Sequence, residues 1–130
     1  MKISYKLSFG TINVLEPNLA EVIVNEGIIF NEIMVDEYHD FLLTVLKPPF
    51  SLLINKINSY SYTYGAQQIF CDLSEIHAIG VMVWSSASLL AIDTLKSINN
   101  HKGWNIKSFR DRDEAISWLK KGLDTVSQTL

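Results

Sequence analysis

The sequence predicts an α/β domain with a mixed, mostly parallel sheet, in the order β-β-α-β-α-β-α-β-α. Three observations lead there. Apolar runs of strand length alternate with segments whose apolar residues recur at three-and-four spacing. The loops between them are short, which favours parallel strands joined by crossovers of one hand. The run Phe50-Ser51-Leu52-Leu53-Ile54, apolar but for one serine and preceded by Pro48-Pro49, has the character of a strand buried on both faces.

The first strand is expected over Tyr5 to Leu15, where Tyr5, Leu7 and Phe9 alternate with Lys6 and Ser8, Gly10 interrupts, and Ile12, Val14 and Leu15 follow. Glu16-Pro17-Asn18 is turn chemistry, so Leu19 to Val24 should return as the second arm of an N-terminal antiparallel hairpin. That hairpin should form the sheet's edge, where Lys6 is suitably placed. Asn31 can cap a helix over Met34–Leu46, with Asp36, Glu37 and Asp40 on its wet side. Pro48-Pro49 stops it, and the apolar strand follows.

Ala66, Ile69, Phe70 and Leu73 mark a short second helix capped by Thr63, with Gly65 weakening its first turn. His77 to Trp84 reads as another buried strand, and Ser85 or Ser86 as the cap of a third helix with Leu89, Ile92, Leu95 and Ile98 inward. After the loop Asn99–Gly103 comes a last strand, Trp104–Phe109. Asp111 and Glu114 then form a capping box for a final helix that turns Ala115, Ile116, Leu119 and Leu123 inward. From Asp124 the apolar pattern fades, which predicts a frayed tail over 124–130.

The bulk numbers bound the function. A chain of 130 residues is expected to form one domain, 1–130. Its net charge of −3 argues against nucleic-acid binding, which calls for a basic face. The first 50 residues carry 3 Lys against 7 acidic residues, an imbalance that fits a solvated acidic helix. Cys71 is the only cysteine, so a reducing compartment suits the chain. No segment reaches the roughly 20 apolar residues of a membrane span. The N-terminal residues also lack the apolar stretch of a signal peptide. A cytoplasmic protein is expected.

No catalytic constellation stands out. His39, His77 and His101 have no paired ligand spacing, so no metal is expected, and the isolated glycines form no phosphate loop, so no cofactor is expected either. Cys71 beside Phe70 reads as a small buried residue. The remaining candidate is the run Asn58-Ser59-Tyr60-Ser61-Tyr62, which leaves the central strand at the carboxyl edge where α/β sheets tend to build sites. An extended backbone there separates rings from hydroxyls. Ser59 or Ser61 could accept a phosphate near Lys56, or the rings could wall a pocket for a small apolar ligand. Lys56, Trp84, Ser85 and Arg110 are the expected neighbours. The plain alternative is a turn whose tyrosines cover the rim of the core.

Three stretches carry a resemblance. Gly27 after Val24-Asn25-Glu26, the run Pro49–Ser61 and the stretch Phe109–Leu119 together resemble the SpoIIAA-like proteins, small bacterial domains of the STAS/SEC14-like group. The resemblance implies helices mainly on one side of the sheet and a regulatory, non-enzymatic role in binding a protein partner. Its lipid-binding relatives imply the alternative of a carrier of a small apolar or lipid-like ligand, and an enzyme of unknown type ranks third. The family's phosphorylated Asp-Ser-Ser-Gly-like turn is absent; Asn58-Ser59-Tyr60-Ser61 takes a comparable place without matching it. A homodimer is also expected, because apolar residues are plentiful for so short a chain.

Overall fold

The computed structural model describes residues 3–129. The chain forms β1 (Ile3–Leu7), β2 (Gly10–Glu16), β3 (Leu19–Val24), β4 (Ile29–Phe30), α1 (Glu32–Val45), β5 (Phe50–Asn55), β6 (Ser61–Tyr62), α2 (Tyr64–Ile69), β7 (Ile76–Met82), α3 (Ser86–Ile98), β8 (Ile106–Phe109) and α4 (Arg112–Thr129). Six strands make one sheet in the order β1-β2-β3-β5-β7-β8. The first two pairings are antiparallel and the next three parallel. This is the mixed, mostly parallel α/β sheet that the residue pattern predicts.

The predicted first strand is in fact two. Leu7 pairs with Gly10, so Ser8 and Phe9 form a two-residue turn and the chain doubles back. Strict alternation hides this turn because Phe9, which continues the Tyr5-Leu7 series, stays fully buried. It packs edge-on against Phe30 at 4.9 Å between centroids. Ser8 is held by Glu37, whose carboxylate accepts from the Ser8 backbone N–H and hydroxyl. Gly10 then passes so close to β3 that a Cβ there would lie 2.1 Å from the Ile23 carbonyl oxygen. The arm Leu19–Val24 returns as expected, and β1 forms the sheet's edge with Lys6 exposed.

Each of the connections β3-α1-β5, β5-α2-β7 and β7-α3-β8 steps in the same direction across the sheet. Crossovers of one hand then put their helices on one face. Accordingly Val35, Tyr38 and Leu42 of α1, Ala66 of α2, and Ile92 and Leu95 of α3 share a core with Leu52, Ile54, Ile79 and Val81. Helix α4 follows the last strand and covers the other face, where Ala115, Leu119 and Leu123 meet Leu19, Leu53, Ala78 and Phe109. Strand β5 lies between the two cores, and all six of its residues are buried.

The helix ends follow their caps. Asn31 Oδ1 accepts from the Met34 N–H at 2.9 Å, which starts α1 at Glu32. Thr63 Oγ1 accepts from Ala66, and Ser85 forms a reciprocal capping box with Ser88. At α4, Asp111 Oδ1 accepts from the Asp113 N–H rather than reaching one residue further. Ile98, expected inward on α3, is more than a third exposed, because the buried face of this segment runs through Ile92, Leu95 and Asn99 and turns Ile98 aside. Helix α4 continues to Thr129 where a frayed tail was expected; helical backbone bonds persist after the apolar stripe ends. Leu130 lies outside the described residues.

Gly10→Ala should destabilise the fold by about 1–3 kcal/mol, since backbone cannot move aside as a flexible side chain can. Urea unfolding reads this directly. An unchanged midpoint would mean that β2 and β3 separate at Gly10 without penalty.

Candidate functional site

The carboxyl ends of β3, β5, β7 and β8 share one edge of the sheet, and the loop after β5 crosses it. Its first residue, Lys56, extends the ladder by donating its backbone N–H to the Met82 carbonyl at 3.0 Å. The loop is fixed by main-chain bonds to the segment before α1. Gly27 donates to the Ser59 carbonyl, Ser61 to that of Ile28, and Thr63 to that of Phe30. Ile29–Phe30 and Ser61–Tyr62 thereby form a two-stranded parallel sheet that the sequence pattern does not announce. Gly27 takes a positive φ of 79°, which suits glycine at this turn. Asn58 and Ser59 add two further ties, to the Val24 carbonyl and the Glu26 carboxylate.

Extended backbone separates rings from hydroxyls, as the alternation predicts. Ser59 and Ser61 are exposed, while Tyr60 and Tyr62 turn inward with their hydroxyls 3.2 Å apart. Tyr62 packs against Phe30 and Phe70, and Phe70 stacks on Tyr38 at 5.1 Å and 8°. Burial holds all three phenols neutral, with Tyr60 pushed up to about 12 and Tyr38 and Tyr62 also raised. Tyr64 breaks the series: it opens α2 and lies in solvent.

Lys56, an expected neighbour of the loop, is here in an unexpected environment. Its side chain is buried to 5% exposure, and its ammonium has no hydrogen-bond partner among the described residues. The ammonium sits 3.9 Å from the Tyr60 ring centroid and 5.2 Å from that of Tyr62. Two ring faces offset part of the lost hydration. Desolvation still lowers its pKa from 10.5 to about 8.

Lys56, Ile57, Asn58, Ser59 and Tyr60 form one wall of a cleft of about 260 Å³. The facing wall is Trp84, Ser85 and the first turns of α3, through Ala87, Ser88 and Ala91. Six of the nine sequence-selected residues therefore meet here: Lys56, Asn58, Ser59, Tyr60, Trp84 and Ser85. The others do not. Ser61 is in β6, Tyr62 is turned into the core, and Arg110 lines a separate depression with Val83, Leu89 and Glu114.

Trp84 is held by a chain of polar contacts that its sequence context does not reveal. Its indole Nε1 donates to Asn55 Oδ1 at 2.7 Å, and the Asn55 amide donates to Glu21 Oε2 at 3.0 Å. Arg112, at the start of α4, reaches the same buried carboxylate at 3.0 Å. Three segments far apart in sequence thus orient the indole that walls the cleft. Asn55 lies at the end of an apolar run, which is the only sequence signal for it. Glu21 breaks the apolar character of its strand and could have been marked by that.

Cys71 is buried, and desolvation pushes its thiol well up, so it is held as an unreactive thiol. It follows the second helix rather than lying within it, since α2 ends at Ile69. His39 Nε2 lies 2.9 Å from the Phe70 carbonyl, a structural contact. Among the described residues no group of three or more His, Cys, Asp or Glu side chains could hold a metal ion. No helix among them is long and apolar enough to cross a membrane.

The lowered Lys56 pKa carries a sign. Below pH 8 the folded chain bears the full penalty of a buried ammonium, and that penalty is relieved between about 8 and 10.5 as the folded state releases its proton first. The raised tyrosines oppose this above pH 10, because they favour the protonated fold. Lys56→Met should therefore raise stability at pH 7 by about 1–3 kcal/mol, less than the full shift implies because the ring contacts are lost too. It should also flatten the rise between pH 8 and 10. Denaturant titrations across that range test both; a variant less stable than the parent at pH 7 would overturn the assignment.

No family model, no curated protein and no solved structure matches this chain.

Proposed function

We propose that the chain is a non-enzymatic binding module of the SpoIIAA-like, STAS-like type, which docks a protein partner at the carboxyl-edge cleft. One observation carries this reading: residues from two separate segments, Lys56–Tyr60 and Trp84–Ala91, converge on a single open cleft. Two large apolar side chains in it, Ile57 and Trp84, are each 54% exposed. A half-exposed indole whose polar end is already bonded offers its apolar face to a partner, in the way aromatic anchors do at interfaces. The sequence resemblance across Pro49–Ser61 and Phe109–Leu119 supports the same role, although the family's phosphorylated turn is missing.

The cleft's size favours a protein over an enclosed apolar ligand. At about 260 Å³ it falls below the roughly 300–1,000 Å³ of small-molecule sites. Tyr62, which a ligand pocket would need on its wall, is committed to the core. A reducing, cytoplasmic setting suits the single buried thiol. Self-association belongs to the proposal as a separate surface. Ile29, Ile33 and Tyr64 are exposed around the contact between Thr63 and Glu32, and a second copy would cover them.

Partner capture tests the first surface. Ile57→Asp together with Trp84→Ala should abolish capture of any protein retained by the parent, while Lys120→Ala on α4 leaves it intact. Retention by the double variant would remove the cleft from the interface. Sedimentation tests the second: the parent should run as a dimer at tens of micromolar and Ile33→Asp as a monomer. A monomeric parent would end the dimer proposal.

A further inference from the structure

We infer that the carboxyl-edge cleft is an oxyanion site, in which Lys56 and the first turn of α3 together hold a carboxylate or phosphate group presented by the docked protein. The inference rests on the docking reading above and names the chemistry of the partner.

Helix α3 is 13 residues long, and its first turns form one wall of the cleft. Backbone N–H groups and the helix dipole make such an end attractive to negative charge. The protein's other long helices answer that field with acids of their own: Glu32 in the first turn of α1, and Asp113 and Glu114 in that of α4. Helix α3 has none there. Among the described residues no Asp or Glu lines the cleft, and Glu26, the carboxylate bonded to the loop, is taken up by the Ser59 N–H.

Lys56 supplies an independent pointer. A buried ammonium without a hydrogen-bond partner among the described residues is costly, and the residue that carries this one lines the same cleft. It rests against the Tyr60 ring, an arrangement from which a flexible four-carbon chain can turn to an incoming anion. The Ser59 hydroxyl lines the same space and can add a donor, while that of Ser85 is engaged in the capping box with Ser88.

The number of cations decides the source of the anion. Among the described residues Lys56 is the only basic one lining the cleft, and the chain carries a net charge of −3. Membrane surfaces and nucleic acids are held by several cations acting together. A single acidic or phosphorylated side chain needs only one, and the exposed Ile57 and Trp84 can cover its apolar neighbours. The partner is therefore an acidic or phosphorylated protein segment with apolar residues beside the charged one.

The test titrates the full chain with inorganic phosphate, and separately with acetate, at constant ionic strength against chloride, and follows ¹⁵N shifts. Saturable shifts are expected at the Lys56 amine and at the Ser59, Tyr60 and Ser86–Ser88 amides, with binding about ten-fold weaker or worse in Lys56→Met. Ala87→Glu, which places an acid in the open first turn, should abolish saturation in a folded chain. Shifts that track chloride, or that survive Lys56→Met, overturn the oxyanion site even if partner capture still depends on Ile57 and Trp84. Saturable phosphate binding with capture indifferent to Ile57 and Trp84 leaves the anion site but overturns its protein source. Lys56-dependent co-sedimentation with phosphatidylserine vesicles overturns that source as well.

Discussion

All six residues of β5 are buried, and this forces the chain to cover both faces of its central strand. Helices α1 to α3 cover one face because three successive crossovers step the same way; α4 is left to cover the other. The strand ends at Asn55, and the next residue, Lys56, is still buried, resting against the Tyr60 and Tyr62 rings in the wall of the cleft. A cation is thus delivered to the rim of a packed interior by the same alternation that builds the sheet. Everything about the cleft follows from that placement: the ring contacts, the lowered pKa and the missing partner.

Two buried charges in this molecule are treated in opposite ways. Glu21 is surrounded: Arg112 and Asn55 both donate to its carboxylate, and the network fixes the indole of Trp84. Lys56, across the sheet from it, has only ring faces. A satisfied buried charge rigidifies what it touches, whereas an unsatisfied one lowers stability until something relieves it. The first arrangement builds a wall and the second leaves a demand beside it. Structures tolerate such demands where binding meets them.

Much of the architecture was legible because its signals are local. The Phe50–Ile54 run, the caps at Asn31, Thr63 and Ser85, and the Pro17-Asn18 turn each act within a few residues. The turn at Ser8-Phe9 was not legible, because a buried phenylalanine in a turn keeps the alternation of a strand; what demands the turn is Gly10 against β3, a contact made 13 residues later. The pairing of Ile29–Phe30 with Ser61–Tyr62 escaped for the same reason, as two-residue strands have no period of their own. At the cleft, the serine and tyrosine run marked the right loop. Arg110 was misassigned to it because sharing a sheet edge does not mean sharing a depression. Asn55 as the partner of Trp84, and Glu21 as the partner of Asn55, were invisible, since these contacts span 29 and 34 residues.

The small sheet made by β4 and β6 has a consequence for how this surface can change. Its cross-bonds run between backbone atoms, so the rim carrying Ser59 and Ser61 keeps its course whatever side chains are placed there. Those two positions are exposed, and Ser59 lines the cleft itself. The protein accordingly separates the frame of its recognition surface from the lettering on it. Related chains could exchange partners by rewriting a few exposed residues without rebuilding the scaffold beneath.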